Sequence, residues 1–182
     1  MPYIPTAVVN EGGSGSLSQS YLGYNTVGGS VETMTSLRVY AKKITLTADG
    51  LLASVDCHIR GSAADLGSSQ AAGVFSDSGG SPDLVLAFVG YDHDAVSVYL
   101  RKSIGAAGTF RWFCTPIGIW LPAGDYWIFI HNRNGGNDLH YDSGGSDRYM
   151  TEGAGLGITD WDGLYSPTTS SNTYSIRANV LS

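Results

Sequence analysis

Charged side chains are scarce in this sequence. They make up 14% of its 182 residues, against roughly 25% in an average globular protein. Lys and Arg total 10 against 16 Asp and Glu, and basic residues are adjacent only at Lys42-Lys43 and Arg101-Lys102. Proteins that bind a nucleic-acid backbone concentrate basic side chains on one surface. The sequence therefore predicts no nucleic-acid partner.

Long apolar runs and cysteines are also few. No apolar stretch approaches the roughly 18 residues that span a bilayer, and the opening MPYIPTAVVNEGG has neither the basic nor the apolar region of a signal peptide. Cys57 and Cys114 are too few for a disulfide framework. Both lie in apolar runs, which predicts buried, reduced thiols, with a core disulfide between neighbouring strands as the alternative. We expect a protein made in a cytoplasm, without membrane insertion.

Helical periodicity is absent, and alternation takes its place. No stretch of ten residues has an amphipathic helical period, whereas apolar and polar residues alternate from residue 36 onwards. Asp49-Gly50 predicts a two-residue hairpin between the first two strands. The predicted core consists of Leu37, Val39, Leu51, Ala53, Val55, Cys57, Ile59, Phe110, Trp112, Tyr126, Ile128 and Ile130. Further strands are predicted at 72–76, 84–89, 95–101, 109–114, 117–121, 125–131, 137–142 and 173–181. The fold class is all-β, an antiparallel, jelly-roll-like β-sandwich.

The first 35 residues differ from the rest. The run EGGSGSLSQSYLGYNTVGGS is rich in Gly and Ser and has no period. It predicts an extended N-terminal arm over residues 1–35, followed by a β-sandwich domain over residues 36–182. We expect the arm to be the assembly device, laid across a partner or across its own domain.

A strand near the middle of the chain raises a related question. Trp127 and Phe129 alternate with the apolar residues of the predicted core. Either the strand is covered on both sides within the chain, or one face meets another subunit. The candidate partner-binding residues are Tyr3, Ile4, Tyr21, Leu22, Tyr24, Trp127 and Phe129.

The pentapeptide Asp-Ser-Gly-Gly-Ser occurs twice, at Asp77–Ser81 and Asp142–Ser146. Its first four letters surround the nucleophile of chymotrypsin-like proteases. However, Ser76 and Tyr141 stand where those proteases have Gly, and no histidine lies in their Ala-Ala-His-Cys context. Asp, Ser and Gly are also turn residues. The sequence therefore predicts two turns and a protein that is not an enzyme, with a hydrolase based on Ser78 or Ser143 as the alternative.

Acidic and aromatic residues gather in loops. Oxygen ligands suit calcium, but no EF-hand loop is present, and Asp also starts turns. We expect no metal and no cofactor, with a structural calcium in one of the acidic loops as the alternative, at the acidic groups Asp92/Asp94, Asp138/Asp142/Asp147 and Asp160/Asp162, or at His93. Aromatic rings in loops can stack on sugars or simply pack. The candidate glycan contacts are Tyr141, Trp161 and Tyr165.

Two segments resemble a recurrent β-sandwich module of bacteriophage virion proteins and of some bacterial surface proteins. They are VFSDSGGSPDLVLAF and IWLPAGDYWIFI, and Leu121, Ala123, Gly124, Tyr126 and Trp127 match the module's last strand pair. The resemblance covers roughly residues 37–181. It implies a virion structural protein, assembled in the host cytoplasm, that decorates the head. The alternative is a tail or fibre adhesin or a carbohydrate-binding module. The implied partners are other virion proteins, further copies of the chain and a host surface glycan.

Overall fold

The computed structural model describes residues 17–61, 70–89, 109–132, 136–151 and 167–182, and they form two antiparallel β-sheets packed face to face. The predicted all-β sandwich is confirmed. No helix capable of crossing a membrane occurs in these ranges. The strands are β1 (Gln19–Gly23), β2 (Ser30–Thr33), β3 (Arg38–Leu46), β4 (Gly50–Arg60), β5 (Gln70–Ser78), β6 (Ser81–Val89), β7 (Arg111–Leu121), β8 (Gly124–Asn132), β9 (Asp138–Ser143), β10 (Arg148–Thr151), β11 (Thr168–Thr169), β12 (Asn172–Tyr174) and β13 (Ile176–Leu181).

Sheet A has seven strands and sheet B has six. Sheet A runs β1-β13-β4-β9-β12, with β7 paired to β4 and β2 paired to β9. Sheet B runs β11-β10-β3-β8-β5-β6. The predicted strand at 95–101 lies outside the described residues, while those at 109–114 and 117–121 are parts of the single strand β7.

The described part of the predicted arm, from residue 17 onwards, belongs to the sandwich. β1 pairs with β13 from Gln19↔Leu181 to Gly23↔Arg177, and β2 pairs with β9 from Ser30↔Tyr141 to Thr33↔Asp138. The predicted boundary between an arm and a domain at residue 35 is therefore wrong. Sequence reasoning missed these strands because their side chains are largely exposed or half-buried and carry little apolar alternation.

The connection at Asp49-Gly50 is not the predicted hairpin. β3 lies in sheet B and β4 in sheet A, so the chain crosses between the sheets there. The connection from β7 to β8 crosses in the same way. Ala123 N donates a hydrogen bond to Asp49 Oδ1 over 2.8 Å, which fastens the two crossings to each other. Asp-Gly favours a tight reversal of direction, but local sequence does not decide which sheet receives the next strand.

The main core lies between the sheets and contains half of the predicted residues. Val55, Cys57, Ile59, Tyr126, Ile128 and Ile130 are buried there as predicted. Leu37 is half-buried with a φ of 57°, outside the core cluster. Phe110 and Trp112 are half-buried, and Phe113 takes the inward position on β7. The residues near the start of β7 that were predicted to face the core therefore lie on its opposite face.

Leu51 and Ala53 do not lie in the core either. Leu52 is fully buried instead. The pairing of β4 with both β7 and β13 skips Ala53, because the register shifts between Leu52 and Ser54 on one side and between Asn179 and Val180 on the other. One extra residue in a strand is a β-bulge, and it reverses the alternation on either side of itself.

A second, smaller cluster covers the outer face of sheet B. It consists of Val39, Ala41, Ala71, Phe75, Trp127 and Phe129, with Val85 packed against it. Val39 is thus buried, but on the opposite face from the main core. Of the two alternatives raised for Trp127 and Phe129, the structure shows cover within the chain. Both are therefore corrected as partner-contact residues.

The two cysteines lie on neighbouring strands but face opposite ways. Cys57 pairs with Phe113 and Cys114 pairs with Asp56, so the side chains project from opposite faces of sheet A. Cys57 is in the core, where burial raises the pKa of its thiol. Cys114 is exposed, so its predicted burial is wrong. No disulfide joins the pair.

Candidate functional site

The outer face of sheet A carries an aromatic–cation ladder, which we define as Tyr21, Arg60, Phe110, Trp112, His140, His58 and Arg177. The pairing register of the strands places these side chains next to one another. Arg177 on β13 is opposite Asp56 on β4, and His58 two residues later is opposite Trp112 on β7. Residues directly opposite across antiparallel strands share a face. Cys57 and Phe113 between them point inward, so these side chains point outward.

Arg177 lies at the centre of one half of the ladder. Its guanidinium carbon is 4.2 Å from the centre of the Tyr21 ring and 3.9 Å from that of the Trp112 ring. Its Nε donates to Asp56 Oδ2 over 3.3 Å. Ser54 Oγ donates to the other carboxylate oxygen of Asp56 over 2.8 Å. The buried carboxylate and the two rings therefore hold a cation in a fixed position on an open sheet face.

His58 joins this half to the next. Its ring lies 5.4 Å from the Trp112 ring and 4.8 Å from the His140 ring, both edge to face, and it stacks on Phe110 at 5.8 Å. The pKa of His58 is lowered, first by desolvation and then by the positive charges of His140 and Arg177. The imidazole is therefore neutral at pH 7, and its ring acts as an aromatic surface.

Arg60 and a loop complete the ladder. The Arg60 guanidinium lies 4.6 Å from the Phe110 ring, and its Nε donates to Asp138 Oδ2 over 2.7 Å. His140 Nδ1 lies 2.7 Å from the carbonyl oxygen of Gly28. A carbonyl only accepts, so this nitrogen carries the proton. The contact joins the β1–β2 connection to the ladder.

A row of side chains that is apolar except for Gln19, termed the apolar row, crosses the other end of the same face. Gln19, Leu181, Leu51 and Trp120 are successive register partners on β1, β13, β4 and β7. Their inward neighbours, Leu52 and Val180, lie in the core. Trp120 is 58% exposed, the largest exposed aromatic side chain of the described residues. Leu17, two residues before Gln19, is 62% exposed. Large apolar side chains grouped on an open sheet face are typical of a binding surface.

The acidic residues of the predicted group that the structure describes, Asp138, Asp142 and Asp147, are engaged by protein groups. Asp138 accepts from Arg60 and from Thr33 Oγ1. Asp142 accepts from the Tyr24 hydroxyl and, over 2.7 Å, from Gly29 N, and these bonds lower its pKa. Across the described ranges, no three His, Cys, Asp or Glu side chains converge as metal ligands. Asp92, His93, Asp94, Asp160 and Asp162 lie outside those ranges.

The two pentapeptides have different structural roles. The first is the predicted turn, since Gly79 and Gly80 have φ of 61° and 82° and join β5 to β6 as a two-residue hairpin. The Asp77 carboxylate stabilises this hairpin. Gly80 N donates to Asp77 Oδ2 over 3.1 Å, and Trp127 Nε1 donates to Oδ1 over 2.6 Å. Burial acts to raise the pKa of Asp77, but these bonds and Lys43 outweigh it and lower the pKa.

The second pentapeptide joins β9 in sheet A to β10 in sheet B. Gly144 N and Gly145 N both donate to the carbonyl oxygen of Ser171, over 2.8 and 3.0 Å. Ser78 and Ser143 are both exposed. If they serve only these turns, neither should react stoichiometrically with a serine-directed fluorophosphonate.

The predicted contact residues are divided among different surroundings. Tyr3, Ile4, Trp161 and Tyr165 lie outside the described residues. Tyr21 is in the ladder, whereas Leu22 and Tyr141 are half-buried and pack against the main core. Tyr24 is held by Asp142. Sequence reasoning missed Trp112, Trp120 and Arg177 as surface groups. The alternation of β7 contained the signal, but the assignment of its faces was reversed.

No family model and no curated protein matches this chain.

Proposed function

We propose that this chain is a non-enzymatic structural protein of a bacteriophage virion, attached through the outer face of sheet A. Decoration of the head surface is the first assignment, and a tail or fibre position is the second. The phage assignment is based on the resemblance of the segments around Asp77 and Tyr126. The attachment surface is based on the geometry of sheet A.

The exposure of Trp120 carries this proposal. A Trp that is 58% exposed at the end of an apolar row leaves a large apolar area in water in the isolated chain. Protein–protein interfaces are enriched in Trp, Tyr and Arg and depleted in Lys and Glu. The ladder beside the row supplies the same residue types, with Tyr21, Trp112, Arg60 and Arg177. The face therefore has the composition of an interface between proteins.

The proposal is tested by locating the chain in particles. Virus-sized particles from the source culture are purified through a density gradient, washed in high salt, and analysed by quantitative mass spectrometry. We expect the chain in a fixed ratio to the major capsid protein, and immunogold labelling then distinguishes head from tail. Absence of the chain from intact particles would contradict the proposal.

A pair of variants tests the surface. Trp120→Ser should abolish binding of the purified chain to particles that lack it. Leu84→Ser is the matched control, because Leu84 is 56% exposed on β6 in the other sheet. Equal binding by the two variants would show that sheet A is not the attachment surface. Circular dichroism checks that both variants are folded.

Glycan binding is the second candidate, and Trp120 favours it as well. An exposed indole on a flat sheet surface can stack on a sugar ring. A glycan array separates the two functions, since saturable binding that Trp120→Ser removes would support an adhesin. Tyr141 should not contribute, because it packs against the core.

A further inference from the structure

Lys42 and Asp147 form an ion pair between β3 and the residue that precedes β10, the neighbouring strand of sheet B. Lys42 Nζ lies 2.8 Å from Asp147 Oδ1, and the two side chains are 19% and 4% exposed. Lys42 is on β3 of sheet B. Asp147 lies just before β10, where the chain has crossed from sheet A. The Asp147 carboxylate also accepts from Tyr174 N of sheet A, through Oδ2, over 2.7 Å.

The neighbouring ion pair of Lys43 and Asp125 differs from this one in its exposure to solvent. Lys43 Nζ is also 2.8 Å from a carboxylate, that of Asp125, but those side chains are 36% and 41% exposed. Water competes for both charges of the exposed pair and stabilises them as ions. At Lys42 and Asp147 the charges have lost much of that hydration, and burial penalises them. Burial raises the pKa of Asp147 even though Lys42 and Tyr174 N–H act to lower it.

We propose that Lys42 and Asp147 react with each other to form an intramolecular isopeptide bond. A proton passes along the existing hydrogen bond from the Lys42 ammonium to Asp147 Oδ1, which leaves a neutral amine beside a neutral acid. The Nζ lone pair attacks Cγ, the Cγ–Oδ1 bond breaks, and Oδ1 departs with two protons as water. The reactants are one ammonium and one carboxylate, the products are one amide and one water, and no oxidant or other reactant is needed.

The surroundings favour both the attack and the product. Tyr174 N–H lies where the negative charge on Oδ2 develops during attack, as a backbone donor does in an oxyanion hole. The two groups are held within contact distance, which removes the entropy cost of their encounter. The amide carries no net charge, so its formation removes two charges from a site that hydrates them poorly. The released water leaves for bulk solvent, which also favours the amide.

The bond would connect segments that hydrogen bonds alone now hold together. It would join β3 to the start of β10 across a sequence separation of 105 residues. Closing so large a loop restricts the unfolded chain strongly. A covalent connection between these neighbouring strands of sheet B would also resist their mechanical or thermal separation.

Intact mass spectrometry of the full chain tests the proposal. The folded wild-type protein should be lighter than its sequence mass by one water. Lys42→Arg keeps the positive charge but removes the nucleophile, and it should have the full sequence mass, as should Asp147→Ala. Lys43→Arg is the matched control and should still lack one water. A tryptic digest of the wild type should contain a branched species that joins residues 39–43 to residues 134–148.

Two results would overturn it. The first is a folded wild-type protein that keeps its full mass after prolonged incubation at neutral pH. The second is a missing water that persists in Lys42→Arg, since Asp49-Gly50 can lose water as a succinimide. If a variant fails to fold, the branched peptide of the wild type decides alone, and its absence from a complete digest contradicts the proposal.

Discussion

At the scale of single residues, one extra amino acid determines which side of β4 is buried. Simple alternation across this strand predicts that Leu51 and Val55 share a face. The bulge at Ala53 reverses the period, so Leu52 and Val55 point inward while Leu51 lies beside Trp120 on the outer face. No feature of LLASVDCHIR marks the bulge, because both β7 and β13 skip the same residue and together define it. Periodicity was therefore correct on one side of Ala53 only.

Val55→Asp and Leu51→Asp should differ sharply. The first places a charge in the core and should cost more than about 4 kcal/mol of unfolding free energy, enough to unfold many domains. The second places the charge on an open face and should cost less than about 1 kcal/mol. Urea denaturation followed by tryptophan fluorescence measures both. Equal losses would mean that the bulge is wrongly placed.

The ladder should make stability depend on pH. His58 has a lowered pKa in the folded protein, so below about 6.5 the unfolded chain binds protons that the folded chain resists. The contribution of neutral His58 to the free energy of unfolding is therefore complete above about pH 6.5. It is lost as the pH falls through the pKa that His58 has in the folded protein. Desolvation, His140 and Arg177 oppose protonation of the His58 ring.

The measurement compares wild type with His58→Gln by urea denaturation at about pH 7.5 and about pH 5.5. The wild type should lose more stability between the two values than the variant does, because only the wild type gains the unfavourable charge. Identical losses would show that His58 titrates normally. Phe110→Leu, which keeps both histidines, should retain the direction of the pH effect.

At the scale of elements, local turn chemistry was predictable and sheet membership was not. The two copies of Asp-Ser-Gly-Gly-Ser follow strands and precede strands, as expected. One copy returns the chain within sheet B, and the other sends it from sheet A to sheet B. The two copies differ because each forms hydrogen bonds to a different residue far away in the sequence. Asp77 is held by Trp127, whereas Gly144 and Gly145 are held by Ser171. The candidate binding face depends on the same long-range pairing and could not be assembled from sequence alone.

The same substitution should therefore have unequal effects in the two copies. A Cβ on Gly79 would have no other atom within 4 Å. Gly79→Ala should therefore cost only the backbone strain of a non-glycine residue at a φ of 61°, about 1 kcal/mol. A Cβ on Gly145 would lie 2.0 Å from Thr173 Oγ1 and 2.5 Å from Asn172 O. Relief of that clash requires movement of β12, so Gly145→Ala should cost more than about 2 kcal/mol. Urea denaturation compares the two, and similar losses would contradict the close packing of β12.

At the scale of the whole molecule, residues 17–35 of the segment predicted to be an arm are part of the folded unit. Ser18 and Ser182 exchange backbone hydrogen bonds of 2.8 and 3.1 Å, which extends the pairing of β1 with β13. Gly28 N donates to Ser175 Oγ, and Leu22 packs on the main core. Removal of this segment would expose one side of β13 and open the end of the sandwich.

Two truncations distinguish the arm from the fold. Deletion of residues 1–16 leaves the pairing of β1 with β13 and of β2 with β9 in place, and we expect the melting temperature to be preserved within a few degrees. Deletion of residues 1–30 removes β1 and the β1–β2 connection, and it should yield insoluble protein or a greatly lowered melting temperature. Differential scanning calorimetry of both proteins provides the comparison. A well-folded product of the longer deletion would restore the arm as a separate element.

The pairing of β1 with β13 also sets the order in which the molecule can form. Ser18 and Ser182 are separated by 164 positions, so the pairing of β1 with β13 cannot close until residue 182 has left the ribosome. Until then β1 has no partner strand and remains open to other nascent chains. A topology dominated by such distant pairings folds in roughly milliseconds to seconds. The sheet face with the ladder and the apolar row is therefore completed only after β13 has left the ribosome, which keeps it from engaging a partner before that point.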